Sequence, residues 1–300
     1  MNSSKKSRTF LIVMIVCAVI AVGCVGVLTW MHMEQKRVDA ALDSARLEPE
    51  AEHPSWAQED APAVNTNPEI GTPDKPVASI DAPSDPEMTV GEKPPEPEPE
   101  PVEIPYDFEY LQGINSDIYA WLKLSCTGQE LPVLDNQEDP DYYLRRDIYK
   151  NYSSNGSLYT QSVYNSRDFV DPCTIIYGHT MTAGSMFGSL EVYTINRDLD
   201  DESDAGNYFT LYTTTKILTY RIACTGVYST NHVLYYNNFY TEDGFNYFFN
   251  ELKTYTDTTN FSETFTPQFG DNLVILSTCH QPNDFYRYLV VGVLVDQQGK

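Results

Sequence analysis

The sequence predicts a mainly β domain, a closed or nearly closed antiparallel barrel decorated by helices. Beyond residue 155 the chain is a series of short runs rich in Tyr, Thr and β-branched residues, which strands favour, and turn residues separate these runs. Six or more such strands with regular turns are typical of a barrel. One helical stretch, residues 242–255, interrupts the series with an apolar stripe of Phe and Leu side chains.

The first part of the chain predicts a membrane anchor. Residues 1–9 are basic and contain no acid, and residues 10–30 carry no charge. At about 1.5 Å per residue the uncharged run reaches about 30 Å, the thickness of the apolar core of a bilayer. We therefore predict a transmembrane helix over residues 10–31, with residues 1–9 in the cytoplasm and a juxtamembrane segment over residues 32–47 outside.

Two other interpretations of this segment fit less well. A cleaved signal peptide would have a shorter apolar core and a small-residue cleavage site at its end. The tetrad AVGC loosely matches a lipoprotein processing box that would place a lipid on Cys24, but apolar sequence continues to Trp30. In the anchored and the lipidated form alike, the rest of the chain stays tethered to the cell membrane with its domain extracellular, on the cell-wall side.

Residues 48–105 predict a disordered linker. They contain most of the 19 prolines of the chain and many more acidic than basic residues, most clearly in GEKPPEPEPEP. Such a composition buries too little apolar surface to offset the chain entropy, so we expect an extended spacer that holds the next domain away from the bilayer. The formal net charge of -24 is largely a property of this linker, and the absence of a basic patch disfavours a nucleic-acid partner.

Residues 106–300 have the size of one ordinary domain. Residues 108–114 carry apolar side chains at helical spacing, and residues 115–122 fit a second helix with a polar cap. The strands that follow are predicted from the segments GSLYTQSVY, CTIIYGH, YFTLYTTT, KILTYRIACTGVYS, NLVILSTC and YLVVGVLVD. A short loop joins the last two, so an antiparallel pair is expected, and it returns Cys279 and Arg287 to the same rim of the sheet.

Four cysteines lie in this domain: Cys126, Cys173, Cys224 and Cys279. An even number of cysteines outside the cell suggests disulfides, yet a domain of this size can bury a sufficient core without them. Cys279 differs from the others because it ends an apolar strand, where a thiol can reach a cleft. From the residues alone, a structural and a catalytic role for Cys279 both stay open.

A cysteine nucleophile needs a proton donor for the leaving group and a partner for the developing oxyanion. His179 ends the apolar strand TIIYGH, whereas His280 follows Cys279 directly and points away from it, and His232 is expected at the surface. Arg287 could hold the oxyanion and favour the thiolate, although an isolated arginine would more simply form an ordinary ion pair. Together, Cys279, His179 and Arg287 predict a thiol-based active site at a rim of strand ends.

These residues resemble those of a known family, the sortases, which are membrane-anchored cysteine transpeptidases of Gram-positive cell surfaces. The text LSTC, with Arg287 after it, is similar to the TLxTC signature of the family, and TIIYGHTMTAGSMFGSL puts the catalytic histidine on His179. Class B is the most similar class, through INSDIYAWLKL, LPVLDNQEDPDYYL and the helix at residues 242–255. The resemblance covers nearly all of residues 106–300.

The resemblance implies a closed eight-stranded barrel with N-terminal helices and a helix inserted between strands 6 and 7. It implies that Cys279 attacks the carbonyl after a threonine in the C-terminal sorting signal of a surface protein, that His179 protonates the leaving amine and that Arg287 holds the oxyanion. The thioester would then pass to a peptidoglycan amine. Three residues match positions that line the substrate groove: Tyr177, Ser277 and Thr278. No cofactor is expected, because exchange through a thioester needs no ATP, and no cluster of carboxylates suggests a metal.

The sequence departs from the class B pattern at Gln281, where these enzymes often carry an acid. The main alternative function is a non-enzymatic wall-associated binding module whose cysteines are structural. A papain-like hydrolase is disfavoured, because its cysteine would open a helix early in the domain. The sorting motif, the accepting amine and the range of substrates stay open.

Overall fold

The computed structural model of the chain describes residues 3–47, 102–181, 185–193, 196–255, 258–280 and 285–299. The predicted linker thus lies outside the described residues except for residues 102–105. The helices of the described ranges are α1 Ser3–Ser44, α2 Phe108–Ile114, α3 Val233–Tyr236 and α4 Glu242–Lys253. Within those ranges, no helix combines the length and the apolar character needed to cross a membrane.

The strands form a closed barrel. They are β1 Ile118–Leu124, β2 Gln129–Asp135, β3 Leu158–Thr160, β4 Cys173–Tyr177, β5 Tyr208–Tyr212, β6 Lys216–Ser229, β7 Asn260–Phe261, β8 Leu273–Cys279 and β9 Tyr286–Gly299. Their order is β5-β1-β2-β3-β4-β8-β9-β6, and β5 pairs with β6 to close the ring, while β7 adds to the edge of β6. This confirms the expected closed eight-stranded barrel with helices, and α3 and α4 both lie in the connection that follows β6.

The expectation of an entirely antiparallel barrel was wrong. Two neighbouring pairs are parallel, β2 with β3 and β4 with β8. The two strands of the second pair are far apart in the chain, and a local pattern predicts a strand without naming its partner. Parallel strands end at the same edge of a sheet, so β4 and β8 bring the residues that follow them to one rim.

The predicted second N-terminal helix is also wrong, since the structure has strand β1 at Ile118–Leu124, directly after α2. Tyr119 and Leu122 pack into the barrel interior, whereas Ile118 and Trp121 pack on the opposite side against α1 and α2. Both faces of β1 are therefore buried. A strand buried on both faces has a continuous apolar sequence, which its periodicity cannot distinguish from a buried helix.

Helices α3 and α4 cover part of the outside of the barrel. Helix α4 buries one side, on which Phe245, Phe248, Phe249 and Leu252 lie, and this side joins an apolar cluster with outward side chains of β4, β8 and β9. The stripe is the one that the sequence predicts, and its burial explains the orientation of the helix. We call the segment from β6 to β7, which contains α3 and α4, the α3–α4 connection. It forms a wall beside the rim where β4 and β8 end.

The C-terminal end of α1 packs against the barrel domain. Ala41 and Ala45 are buried in a cluster that also holds residues of α2, β1 and β2. The Leu47 N–H donates to the Pro105 carbonyl at 3.0 Å, and the Asp107 N–H donates to the Ala45 carbonyl at 2.7 Å. Leu47 and Pro105, which bracket the predicted acidic linker, are therefore hydrogen-bonded neighbours.

Candidate active site

Cys279 and Arg287 lie on the adjacent strands β8 and β9 at one rim of the barrel, and His179 lies two residues beyond the end of β4, the other neighbour of β8. Cys279 is the last residue of β8 and pairs directly with Arg287 on the antiparallel neighbour β9. On the other side, β4 runs parallel to β8 with Tyr177 paired to Ser277, and the Gly178 N–H continues the ladder by donating to the Ser277 carbonyl at 3.1 Å. When this register is continued by two residues beyond the Tyr177–Ser277 pair, His179 lies beside Cys279.

The three residues thus form one row across β4, β8 and β9. Neighbouring strands are about 4.8 Å apart, so each side chain of the row can reach the space above the next. Adjacent strands with matched register also project paired side chains on the same side of the sheet. The sequence predicted a common rim, and the parallel pairing of β4 with β8 is what brings His179 to it.

Thr180 holds the end of β4 against the end of β8. Its hydroxyl lies 2.6 Å from the hydroxyl of Thr278 and donates a short hydrogen bond to the carbonyl of Cys279. Thr180 directly follows His179, and Thr278 directly precedes Cys279. The two hydrogen bonds therefore link the backbones that carry the imidazole and the thiol, and they restrict the distance between these groups.

The imidazole of His179 has a defined orientation. Its Nε2 lies 2.7 Å from the carbonyl of Leu144, in the 3₁₀ helix Tyr142–Arg145. A carbonyl oxygen only accepts, so Nε2 carries a proton and donates it to Leu144. The remaining ring nitrogen, Nδ1, is then the atom that can exchange a proton with a bound molecule.

A backbone carbonyl and the hydroxyl of a tyrosine lie near Cys279 and Arg287. An Nη1 atom of Arg287 donates to the Tyr286 carbonyl at 3.2 Å. The Tyr159 hydroxyl lies within electrostatic reach of both Cys279 and Arg287, and burial together with Asp141 raises the pKa of this hydroxyl. Tyr159 thus stays protonated at neutral pH and adds no second negative charge near the thiol, and its O–H donates to Oδ1 of Asp141 at 3.4 Å.

The predicted groove residues do not all lie on one face of the sheet. Residues Ile175, Ile275 and Leu289 pack outward, under the α3–α4 connection, and Tyr177 packs against the same cluster. By strand alternation Ser277 and Cys279 share that outward face. Thr278 faces the opposite way and is only 2% exposed. Its placement disagrees with the expected contact to substrate, because its hydroxyl is used to bind Thr180.

Burial separates Cys279 and Cys126 from the other two cysteines of the domain. All are free thiols in the structure, and Cys279 and Cys126 are half-buried, whereas Cys173 and Cys224 are buried. Burial raises the pKa of the Cys173 and Cys224 thiols, which disfavours their reactive thiolate form. Cys126 lies 3.3 Å from an Nη1 atom of Arg197, away from the row at the rim.

One residue beside this rim was misjudged from the sequence. His232, expected at the surface, is half-buried at the N-terminus of α3. Its Nε2 lies 3.2 Å from the Tyr177 hydroxyl and 2.6 Å from Oε1 of Gln161. The run STNHVLYYN contains one signal that predicts the N-cap position of His232. It is a polar residue that directly precedes a short apolar helical turn.

No protein-family model matches the chain. The chain is 29% identical over 200 residues to Sortase B of Listeria monocytogenes, a match that covers 64% of this chain and 76% of that protein. It is 37% identical over 86 residues to Sortase B of Staphylococcus aureus, covering 29% of this chain and 34% of that protein. The solved structure of Clostridium perfringens sortase B has the same fold, with a TM-score of 0.52, 23% identity and coverage of 63% of this chain and 99% of that one.

The site of this chain is a free thiol at the end of a barrel strand, with a guanidinium on the neighbouring strand and an imidazole just beyond the other neighbour. The similarity to the Listeria protein extends over 200 residues, far beyond the short motifs that first suggested the family. The chain is similar to class B sortases, and these similarities support the sortase family and indicate a cysteine transpeptidase of the sortase B type.

Proposed function

We propose that this chain is a membrane-anchored extracellular transpeptidase that cleaves a C-terminal sorting signal after threonine and transfers the surface protein to a peptidoglycan amine. The row of His179, Cys279 and Arg287 at one rim is the observation that carries the proposal. A nucleophile, a proton donor and a fixed cation within reach of one another are what acyl transfer requires.

In the first half of the reaction, the Cys279 thiolate attacks the carbonyl carbon of the threonine and a C–S bond forms. The oxygen becomes an oxyanion, which the guanidinium of Arg287 stabilises. The C–N bond then breaks, and protonated His179 gives its proton to the leaving amine. The product of this step is a thioester on Cys279 and a released C-terminal peptide.

In the second half, the accepting amine attacks the thioester carbon and a new C–N bond forms. His179 takes the proton of the amine, the C–S bond breaks, and the thiolate of Cys279 is restored. One amide has replaced another, so the exchange consumes no external energy source. The Nδ1 atom of His179 is available for both transfers, because Nε2 is engaged with the Leu144 carbonyl.

The groove for the sorting signal lies between two walls, one formed by the α3–α4 connection and one by the 3₁₀ helix Tyr142–Arg145. Tyr177 lies on its floor, two residues along the chain from His179. The aromatic ring of Tyr177 offers apolar area, which supports the binding of a short extended segment. Ser277, the strand partner of Tyr177, is only 5% exposed, so its hydroxyl is not offered to a bound peptide.

The test uses the full-length chain in detergent micelles and a library of threonine-containing peptides. We expect a covalent adduct on the protein whose added mass corresponds to the peptide up to and including threonine. The adduct should be absent in Cys279→Ala and should persist in the half-buried control Cys126→Ala. An adduct of equal yield in Cys279→Ala, or no adduct with any peptide, would refute the proposal.

The membrane anchor is proposed on the uncharged residues 10–30 and the basic residues before them. We expect the full-length chain in the membrane fraction of cells, and a chain without residues 1–31 in the soluble fraction. Protease added outside cells whose wall has been removed should digest the barrel domain and leave an N-terminal fragment. A soluble full-length chain, or a domain protected from external protease, would contradict this location.

A further inference from the structure

His232 connects the two walls of the groove through a continuous set of hydrogen bonds. On its own wall, Nδ1 accepts from the Tyr235 N–H at 3.2 Å and so caps α3, and the same N–H also donates to the His232 carbonyl at 3.1 Å. Across the groove, Nε2 lies 2.6 Å from Oε1 of Gln161, and the Gln161 amide nitrogen donates to Asp141 at 2.8 Å. Asp141 directly precedes the 3₁₀ helix whose Leu144 carbonyl accepts from His179.

These contacts allow only one protonation state of the imidazole. Nδ1 accepts a hydrogen bond from a backbone N–H, so it carries no proton. Nε2 faces an amide oxygen, so it carries the proton and donates it. The ring is therefore neutral, with its single proton on Nε2. The Tyr177 hydroxyl, 3.2 Å away, lies beside the same nitrogen and links the imidazole to the groove floor.

Among the described residues, Asp141 is the single charged group that acts on His232. The ring of Tyr164 lies 4.5 Å from the imidazole, centroid to centroid, and Tyr177 and Gln161 complete the contacts of this side. The carboxylate of Asp141 acts across Gln161 and favours the charged imidazolium, but burial opposes it and is the larger effect, so the pKa of His232 is lowered. The groove thus favours the neutral ring.

We propose that His232 is a positioning residue that holds the α3 wall over the groove only while its imidazole is neutral, so that acidification opens the peptide-binding groove. A second proton would have to enter at Nδ1, where it would face the Tyr235 N–H and remove the helix cap. Because the folded structure favours the neutral ring, the closed wall is stable above pH about 6.5, the ordinary pKa of histidine, and is weakened as the pH falls below it. This inference rests on the proposed function for its kinetic readout.

The substitution His232→Asn separates capping from titration. Asparagine is among the best N-cap residues, and its amide does not titrate, whereas His232→Ala removes both properties. For wild type we expect the KM for a threonine-containing peptide to rise about fivefold from pH 7.5 to pH 5.5, the factor expected for loss of one helix cap. In His232→Asn the KM should stay constant from pH 7.5 to pH 5.5. In His232→Ala the KM should already be about fivefold higher than that of wild type at pH 7.5, and kcat should be within about twofold of wild type at that pH.

A second measurement needs no substrate. The ¹⁵N shifts of the imidazole in the full-length chain should show the neutral Nε2–H form at pH 7.5, and protonation should coincide with weaker protection of the Tyr235 amide from hydrogen exchange, because its N–H then keeps only the His232 carbonyl as acceptor. An Nδ1–H tautomer, a Tyr235 amide unaffected by protonation, or a KM in His232→Asn that still follows the wild-type pH profile would overturn the inference. If no peptide is turned over, the proposed function fails, whereas the imidazole measurement still decides this inference.

Discussion

Replacing Thr180 by valine tests whether the link between the two strand ends sets the geometry of the site. Valine keeps the shape of threonine and removes the hydroxyl that binds Thr278 and the Cys279 carbonyl. The Thr278 hydroxyl, 2% exposed, is then left without this partner. A buried polar group without a partner costs about 1–3 kcal/mol, so we expect the melting temperature to fall by roughly 6 °C for a domain of this size.

The effect of Thr180→Val on activity should exceed its effect on stability. Without the link, His179 and Cys279 can separate, and a displacement of about 1 Å at reacting groups costs up to about 100-fold in rate. We expect the rate of acyl-enzyme formation in single-turnover experiments, followed by mass spectrometry, to fall about 10- to 100-fold. The double variant Thr180→Val, Thr278→Val should recover most of the stability, because both partners are then apolar, but none of the rate.

A matched control is available on β4, the strand that precedes Thr180. The Thr174 hydroxyl of β4 is buried and has no hydrogen-bond partner among the described residues, so Thr174→Val should leave both stability and acylation unchanged or slightly improve stability. The reasoning fails if Thr180→Val acylates within about twofold of wild type. It also fails if the double variant recovers the rate together with the stability.

Three further predictions follow from other contacts. Arg287→Lys should lower the acylation rate about 100- to 1,000-fold in stopped-flow assays with little change in KM, because a lysine cannot present a planar guanidinium to the oxyanion. A wild-type rate would exclude stabilisation of the oxyanion by Arg287. Gly178→Ala should lower the free energy of unfolding in urea by about 1–3 kcal/mol, since its Cβ would lie 2.5 Å from Leu158 Cδ2 and 2.6 Å from Phe187 Cδ2; a loss below about 0.5 kcal/mol would contradict the packing. Hydrogen bonds from Ser262 and Thr264 hold the pKa of Asp200 far below its usual range, so its contribution to stability is complete above pH about 4 and is lost as the pH falls. The melting temperature of Asp200→Asn should therefore fall less steeply below pH 4 than that of wild type, and equal slopes would refute the assignment.

The sequence allowed the barrel and its rim to be predicted because both depend on local signals. Strand ends are visible as apolar runs that stop at a polar residue, and His179, Cys279 and Arg287 all occupy such positions. The α4 stripe was predictable for the same reason, since its apolar side chains repeat with the helical period.

Other features depend on contacts between distant segments, which no local pattern contains. The parallel pairing of β4 with β8, the inward orientation of Thr278 and the two-sided burial of β1 all follow from partners elsewhere in the chain. His232 was misjudged in the same way, because its burial depends on Tyr177 and Gln161 on other elements.

The meeting of Leu47 and Pro105 has a consequence for the evolution of the chain. The entropy needed to close a loop grows only as the logarithm of its length, about 0.6 kcal/mol for each doubling. Residues can therefore be added to or removed from the acidic segment at little cost to folding, and the position of the barrel relative to α1 is unaffected by such changes. That junction is a permissive point for insertion, where a tag or a whole folded module could be carried without altering the reach of the enzyme.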